Sequence, residues 1–247
     1  MEDTAPHAGR GNSGSHTTGI KQALVVVTWA GNVEETFPSF AQSLGQYRKY
    51  PLVVVVNESR FLLPQIRHFL SANYILLENE DNLWECGAIE AVIRETDIDE
   101  FVFLQDTMVV KNPMIFDKMF NEFPNQSVAF GQHWWCYLGK FRRSVLEQIR
   151  MPKVLTKKQA MYQEVALIQS YLEVEKNVPF LFHDWGLDNP DNYTVEKFGR
   201  MNLVLENPYI VKYSGTVANN KEGAFKTTEL TWKDLEEDWE ATGLYYS

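Results

Sequence analysis

Gln22–Thr28 (QALVVVT), Leu52–Val56 (LVVVV) and Phe101–Leu104 (FVFL) are short apolar runs, two of them dominated by valine. Runs apolar on both alternating faces suit strands covered on both sides, as in parallel sheets. The intervening segments carry helical spacing. Glu34–Leu44 sets Phe37, Phe40, Ala41 and Leu44 on one face. Arg60–Leu70 offers Leu62, Leu63, Ile66, Phe69 and Leu70, and Trp84–Thr96 offers Ala88, Ala91 and Val92. Tyr74–Leu77 (YILL) predicts a further short strand. Strand and helix in alternation predict an α/β domain with a mostly parallel central sheet flanked by helices.

The second half predicts a strand over Ser127–Gln132 and a strand turning into a helix over Gly139–Arg150. A long helix follows over Lys157–Glu173, with Met161, Val165, Ile168 and Leu172 as its stripe. Short apolar pieces and loops fill Phe180–Tyr213, and Glu229–Tyr246 alternates Trp, Leu and acids as a packed terminal helix would. Without an internal repeat or long linker, residues 21–247 read as one catalytic domain. Residues 1–20 are small, polar and glycine-rich, the composition of a disordered tail.

Composition changes this picture little but excludes several classes. The 247 residues are 45% apolar, enough for a sizeable core. A formal charge of −10 argues against a broad nucleic-acid-binding surface. Two cysteines, Cys86 and Cys136, indicate no disulfide framework, and a reducing cytoplasm is the expected compartment. No apolar run reaches the roughly 18–20 residues of a membrane span.

The candidate chemistry lies where the strands stop. In open parallel sheets, ligands bind beyond the carboxyl ends of the strands. Here the ends are Thr28-Trp29-Ala30-Gly31-Asn32, Asn57-Glu58-Ser59 and Gln105-Asp106-Thr107. Turn chemistry accounts for any one of them; three in succession point to a pocket. No GxGxxG follows the first strand and no GxxxxGK[ST] occurs, which argues against a dinucleotide site and a P-loop.

Over roughly residues 22 to 185 the chain resembles the GT-A-fold glycosyltransferases, in the style of the family-2-like enzymes. The resemblance rests on a β-branched first strand ending in Thr, and a second ending in an Asn-Glu-Ser piece. It continues through the helix with Gly87-Ala88-Ile89-Glu90-Ala91 to an apolar strand ending in acid. It implies transfer of a sugar from a nucleotide-diphosphate sugar to a hydroxyl of a glycan or protein acceptor. It also implies Mn²⁺ or Mg²⁺ neutralising the diphosphate as a Lewis acid. The family's acidic motif is Asp-x-Asp or a variant; here Gln105-Asp106-Thr107 supplies one carboxylate. Asp106 is thus the expected metal ligand, with His183 of Phe182-His183-Asp184-Trp185 as its partner.

The same resemblance assigns further roles. Glu164 is the candidate general base, with Asp184 as the other catalytic acid. Thr28, Trp29 and Ala30 would line the base and ribose through backbone groups. Asn57 and Glu58 occupy positions that often face them, and Glu85, Gln105 and Thr107 adjoin. His133, Trp134 and Trp135 form the chain's most aromatic cluster and would wall an acceptor sugar, although Trp rings also fill cores. A non-catalytic or weakly hydrolytic sugar-nucleotide binder on the same fold is the main alternative, motivated by the single acid. A nucleotidyltransferase ranks below it, because TWAGNVEE lacks the expected Gly-rich loop with Arg.

Overall fold

A computed structural model describes residues 19–131, 138–151, 154, 156–182, 197–198 and 201–214. The expected tail, the terminal helix over Glu229–Tyr246, and the candidates His133, Trp134, Trp135, His183 and Asp184 lie outside these residues, apart from positions 19 and 20 of the tail. No described helix is long and apolar enough to cross a membrane.

The chain opens with β1 (Gln22–Trp29), α1 (Val33–Leu44) and β2 (Leu52–Asn57). It continues through α2 (Pro64–Asn73), β3 (Ile75–Glu78), α3 (Trp84–Glu95) and β4 (Glu100–Gln105). β5 (Met108–Val110), α4 (Met114–Asn121) and β6 (Val128–Gly131) follow. Next come β7 (Gly139–Arg142), α5 (Arg143–Leu146), α6 (Lys157–Val174) and β8 (Phe180–Phe182). β9 (Lys197–Phe198), β10 (Met201–Glu206) and β11 (Ile210–Ser214) close the described chain.

Seven strands form the central sheet in the order β3-β2-β1-β4-β7-β6-β8. β3, β2, β1 and β4 run parallel, and β7 is antiparallel to both its neighbours. The α/β expectation holds, with this one reversed strand inside the sheet. Period-two alternation splits each parallel strand between two cores. Leu24 and Val26 join Val54, Val56, Val102 and Leu104 on the face covered by α1, α2 and α4. Val25 and Val27 join Val53, Val55, Phe101 and Phe103 on the face covered by α3, α5 and α6. Each fully buried valine or leucine contributes about 1.5–3 kcal/mol relative to exposure.

Two helix faces differ from expectation. The segment read as one helix from Arg60 breaks into a 3-10 turn at Ser59–Phe61 and then α2, because Pro64 starts a new helix at its first position. Of the five apolar residues assigned to its face, Leu70 is buried within α2 and Leu62 just before it, while Leu63 and Phe69 are exposed. On α6, Leu172 is exposed, and the buried side runs through Ala160, Gln163, Ala166, Leu167 and Tyr171. A Thr156–Gln159 capping box fixes the start of that helix.

A second, four-stranded antiparallel sheet, ordered β5-β11-β10-β9, was not foreseen. β5 follows β4 after only Asp106 and Thr107 and pairs with β11, setting Met108 opposite Lys212. The Gln105-Asp106-Thr107 piece is therefore the junction at which the chain leaves one sheet and enters the other.

Candidate functional site at the carboxyl edge

β1 leads to β2 and β3 on one side, and the chain then returns to place β4 on the other side of β1. Such a reversal opens a crevice between the two carboxyl ends, the usual ligand position in open α/β sheets. The register sets Trp29 beside Asn57 and Val27 beside Gln105, so all three expected strand ends reach one edge.

Side-chain parity sends the edge residues to opposite faces. Asp106 continues the Val102, Leu104 series toward α1. Its Oδ2 accepts hydrogen bonds from Thr28 Oγ1 at 2.6 Å and from Thr36 Oγ1 of α1. Asp106 is 2% exposed, and its N–H donates to Val27 O. Burial pushes its carboxyl upward, opposed by the Thr28 and Thr36 hydroxyls and the Lys212 ammonium. Asp106 thus ties β4, β1 and α1 together.

Toward α3, Gln105 Nε2 donates to Glu85 Oε1 at 2.6 Å, while Gln105 Oε1 is buried with no hydrogen-bond partner among the described residues. Glu85 lies in the first turn of α3, where the helix dipole favours an acid. Burial raises its pKa, opposed by Gln105 and by Lys212. Asn57 donates to Trp84 O at 3.1 Å and accepts from Asn79 Nδ2 at 3.0 Å. Trp29 Nε1 donates to Asn82 Oδ1 at 2.8 Å, an oxygen that also takes the Trp84 N–H.

Two non-glycine residues here have left-handed backbones, Glu58 with φ 57° and Trp84 with φ 50°. This conformation is disfavoured for side chains of their size and persists only where the surroundings enforce it. Glu58 N–H donates to Asp81 O and Ser59 N–H to Asn79 O, which holds the loop after β2 against the loop after β3.

The candidates therefore divide. Thr28, Asn57, Glu85, Gln105 and Asp106 are buried and form the wall of the crevice. Trp29, Ala30, Glu58 and Thr107 are partly exposed along its lip, although the Ala30 N–H is already given to Asn57 O. Glu164 is half-buried in the second turn of α6, one turn beyond Ala160, which packs with Val154 and Ala166 against Trp84. A cavity of about 720 Å³ lies elsewhere, lined by Leu44, Tyr47, Tyr50, Leu52 and Tyr74 toward the opposite edge of the sheet. The convergent strand ends, not this largely apolar hollow, define the candidate site.

Lys212 was missed. It comes from β11, is 9% exposed, and donates from Nζ to Thr107 Oγ1. Its ammonium stabilises the ionised forms of both Asp106 and Glu85. A lysine inside the apolar run Ile210-Val211-Lys212-Tyr213 was the available signal.

The described residues do not fit a resident divalent ion. Mg²⁺ and Mn²⁺ need hard oxygen ligands with open coordination. Asp106 is enclosed by two hydroxyls, Glu85 is bonded to Gln105, and an ammonium adjoins both. Among the described residues, no three His, Cys, Asp or Glu side chains group as a metal site.

Several solved structures align with part of this chain at low identity. Residues 1–349 of S. aureus TarS align over 62% of this chain at 13% identity, with a TM-score of 0.46. Glucosyl-3-phosphoglycerate synthase from Mycobacterium tuberculosis, solved with Mn²⁺, UDP and glucosyl-3-phosphoglycerate, aligns over 72% of this chain and 76% of its own at 12% identity, TM-score 0.43. The mannosyltransferase PcManGT from Pyrobaculum calidifontis, solved with GDP-Man and Mn²⁺, aligns over 66% of this chain and 55% of its own at 12% identity, TM-score 0.45. The chain spans 55% of that TarS fragment and 35% of the longer TarS structure. No protein-family profile and no curated protein matches the sequence.

Proposed function

We propose that this chain transfers a sugar from a nucleotide-diphosphate sugar to an acceptor hydroxyl at the crevice between β1 and β4. The observation that carries this reading is the convergence of three strand ends on one edge, flanked by strained backbones at Glu58 and Trp84. Such strain is characteristic of ligand sites.

In this reading the nucleoside lies along Trp29, Ala30 and Glu58, with the diphosphate toward Thr107. His133, Trp134 and Trp135, outside the described residues, are the aromatic cluster proposed to meet the acceptor sugar. The acceptor oxygen bonds to the anomeric carbon as the bond from that carbon to the phosphate oxygen breaks. The electron pair leaves with the diphosphate, and the acceptor proton passes to Glu164, with Asp184 as the other candidate. A base acting only in the transition state typically contributes about 10²–10⁴ in rate.

The test is a panel of nucleotide sugars, with and without Mn²⁺, measured for binding by calorimetry and for transfer by release of nucleoside diphosphate. Glu164→Gln should lower turnover about 10²-fold or more while donor affinity holds. Failure of every nucleotide sugar to bind at millimolar concentration would reject the reading. Binding with slow hydrolysis and no transfer would favour the sugar-nucleotide binder, a reading supported by the enclosure of the single motif acid, Asp106.

A further inference from the structure

Resting on that reading, we infer that Lys212 supplies the positive charge for the sugar nucleotide's diphosphate, so that donor binding needs no divalent ion. The two carboxylates nearest the crevice are committed within the protein, Asp106 to Thr28 and Thr36 and Glu85 to Gln105. The cation beside them is the chain's own. Lys212 reaches the carboxyl end of β4 from the second sheet and is held there by Thr107.

Two further features suit a diphosphate. Thr107 is partly exposed, so the point at which Lys212 is anchored borders solvent. Gln105 Oε1, buried beside the same junction, has no hydrogen-bond partner among the described residues, an acceptor that a small shift of the side chain would present to a bound ligand or water. An ammonium has three donors and acts on phosphate as a compact point charge. As the sugar departs, the electron pair left on the diphosphate is stabilised by that charge. No ligand exchange is required, and the fixed donor is already oriented.

The experiment measures binding of UDP, GDP and inorganic pyrophosphate to the full chain by calorimetry. Protein is first stripped with EDTA, then assayed with and without added Mn²⁺, for the parent, Lys212→Met and Lys212→Arg. Stripped parent should bind a nucleoside diphosphate, with little gain from Mn²⁺. Lys212→Met should weaken that binding about tenfold or more, the usual loss for a charge-assisted hydrogen bond. Lys212→Arg should recover part of it. Binding that appears only with Mn²⁺ overturns the inference and leaves the proposed function standing. So does equal affinity of parent and Lys212→Met. If Lys212→Met fails to fold, as judged by its melting curve, the parent and Lys212→Arg still decide: metal-dependent parent binding, or a complete loss in the charge-conserving variant, overturns it. Absence of binding by all three probes in both conditions overturns the inference and the proposed function together.

Discussion

Lys140 and Lys212 are both buried, and they stand near opposite ends of β4. Lys140 has no exposed side-chain surface; its Nζ donates to Glu100 Oε1 at 3.3 Å and to Phe123 O at 2.7 Å. Close by, Arg143 donates to the carbonyls of Ile93, Thr96 and Ile98 at the end of α3. Lys140 and Arg143 are thus spent on contacts within the protein. At the carboxyl edge Lys212 meets a partly exposed threonine and two acids, among strained loops. Burial alone therefore says nothing of role. What separates the two lysines is their company: a carboxylate and a carbonyl for Lys140, a partly exposed threonine and the charges of two buried acids for Lys212.

The largest expected effect falls on the closed end. Lys140→Ala leaves Glu100 buried without its cation and should cost about 3–5 kcal/mol in urea unfolding. The remaining folded fraction should bind nucleotide as the parent does. A loss under 1 kcal/mol, by the same order-of-magnitude scale, would erase the contrast between the edges. Next comes Gly87→Ala in α3. A Cβ there would lie 2.1 Å from Leu83 Cβ, so the first turn behind Trp84 must shift. Overpacking of this kind costs about 1–3 kcal/mol, and donor affinity should fall with it.

Asp106→Asn should have a smaller and pH-dependent effect. Burial holds the Asp106 carboxyl above its ordinary 3.8, so the native state keeps a proton that the unfolded chain has already lost. Its favourable contribution is full below the unfolded value and declines as pH rises toward the native one. Asparagine does not titrate and can still accept from both threonines. The stability difference should be within about 1.5 kcal/mol at pH 7, near the value of one hydrogen bond, and should move in the variant's favour from pH 4 to 7. Unfolding midpoints of both proteins across that range are the check; a difference moving the other way would mean that the native carboxyl is held ionised. The smallest effect belongs to Phe69→Ser on α2, where the ring is 51% exposed. It should stay within about 0.5 kcal/mol, confirming that this side of α2 belongs to neither core.

The carboxyl edge was legible because its signal is local. Valine runs in β1 and β2 announced strands, and the polar residues ending them marked one edge. The Asn57, Gln105 and Asp106 positions followed from that. What escaped depends on pairing across long stretches. β5 has three residues and β9 two, too short for a periodic signal. Their sheet becomes visible only when β11 reaches back to β5. Parity also hides which partner a polar residue will meet: Asp106 and Gln105 are adjacent yet point to different faces, one to threonines and one to Glu85. The face expected on α2 failed because Pro64 starts a new helix and resets its phase.

The junction between the two sheets has a consequence for synthesis. The parallel half of the central sheet is made from neighbouring strand–helix units and is complete once β4 has left the ribosome. The bond from Lys212 to Thr107 spans 105 positions and waits for β11. Contacts of such separation form late, since closing a long loop precedes any reward. A nascent chain paused before β10 would hold a recognisable core and carry the acids of its crevice without their lysine. Competence to bind thus arrives after the architecture, and a ribosome-stalled series ending on either side of residue 212 would date the two events separately.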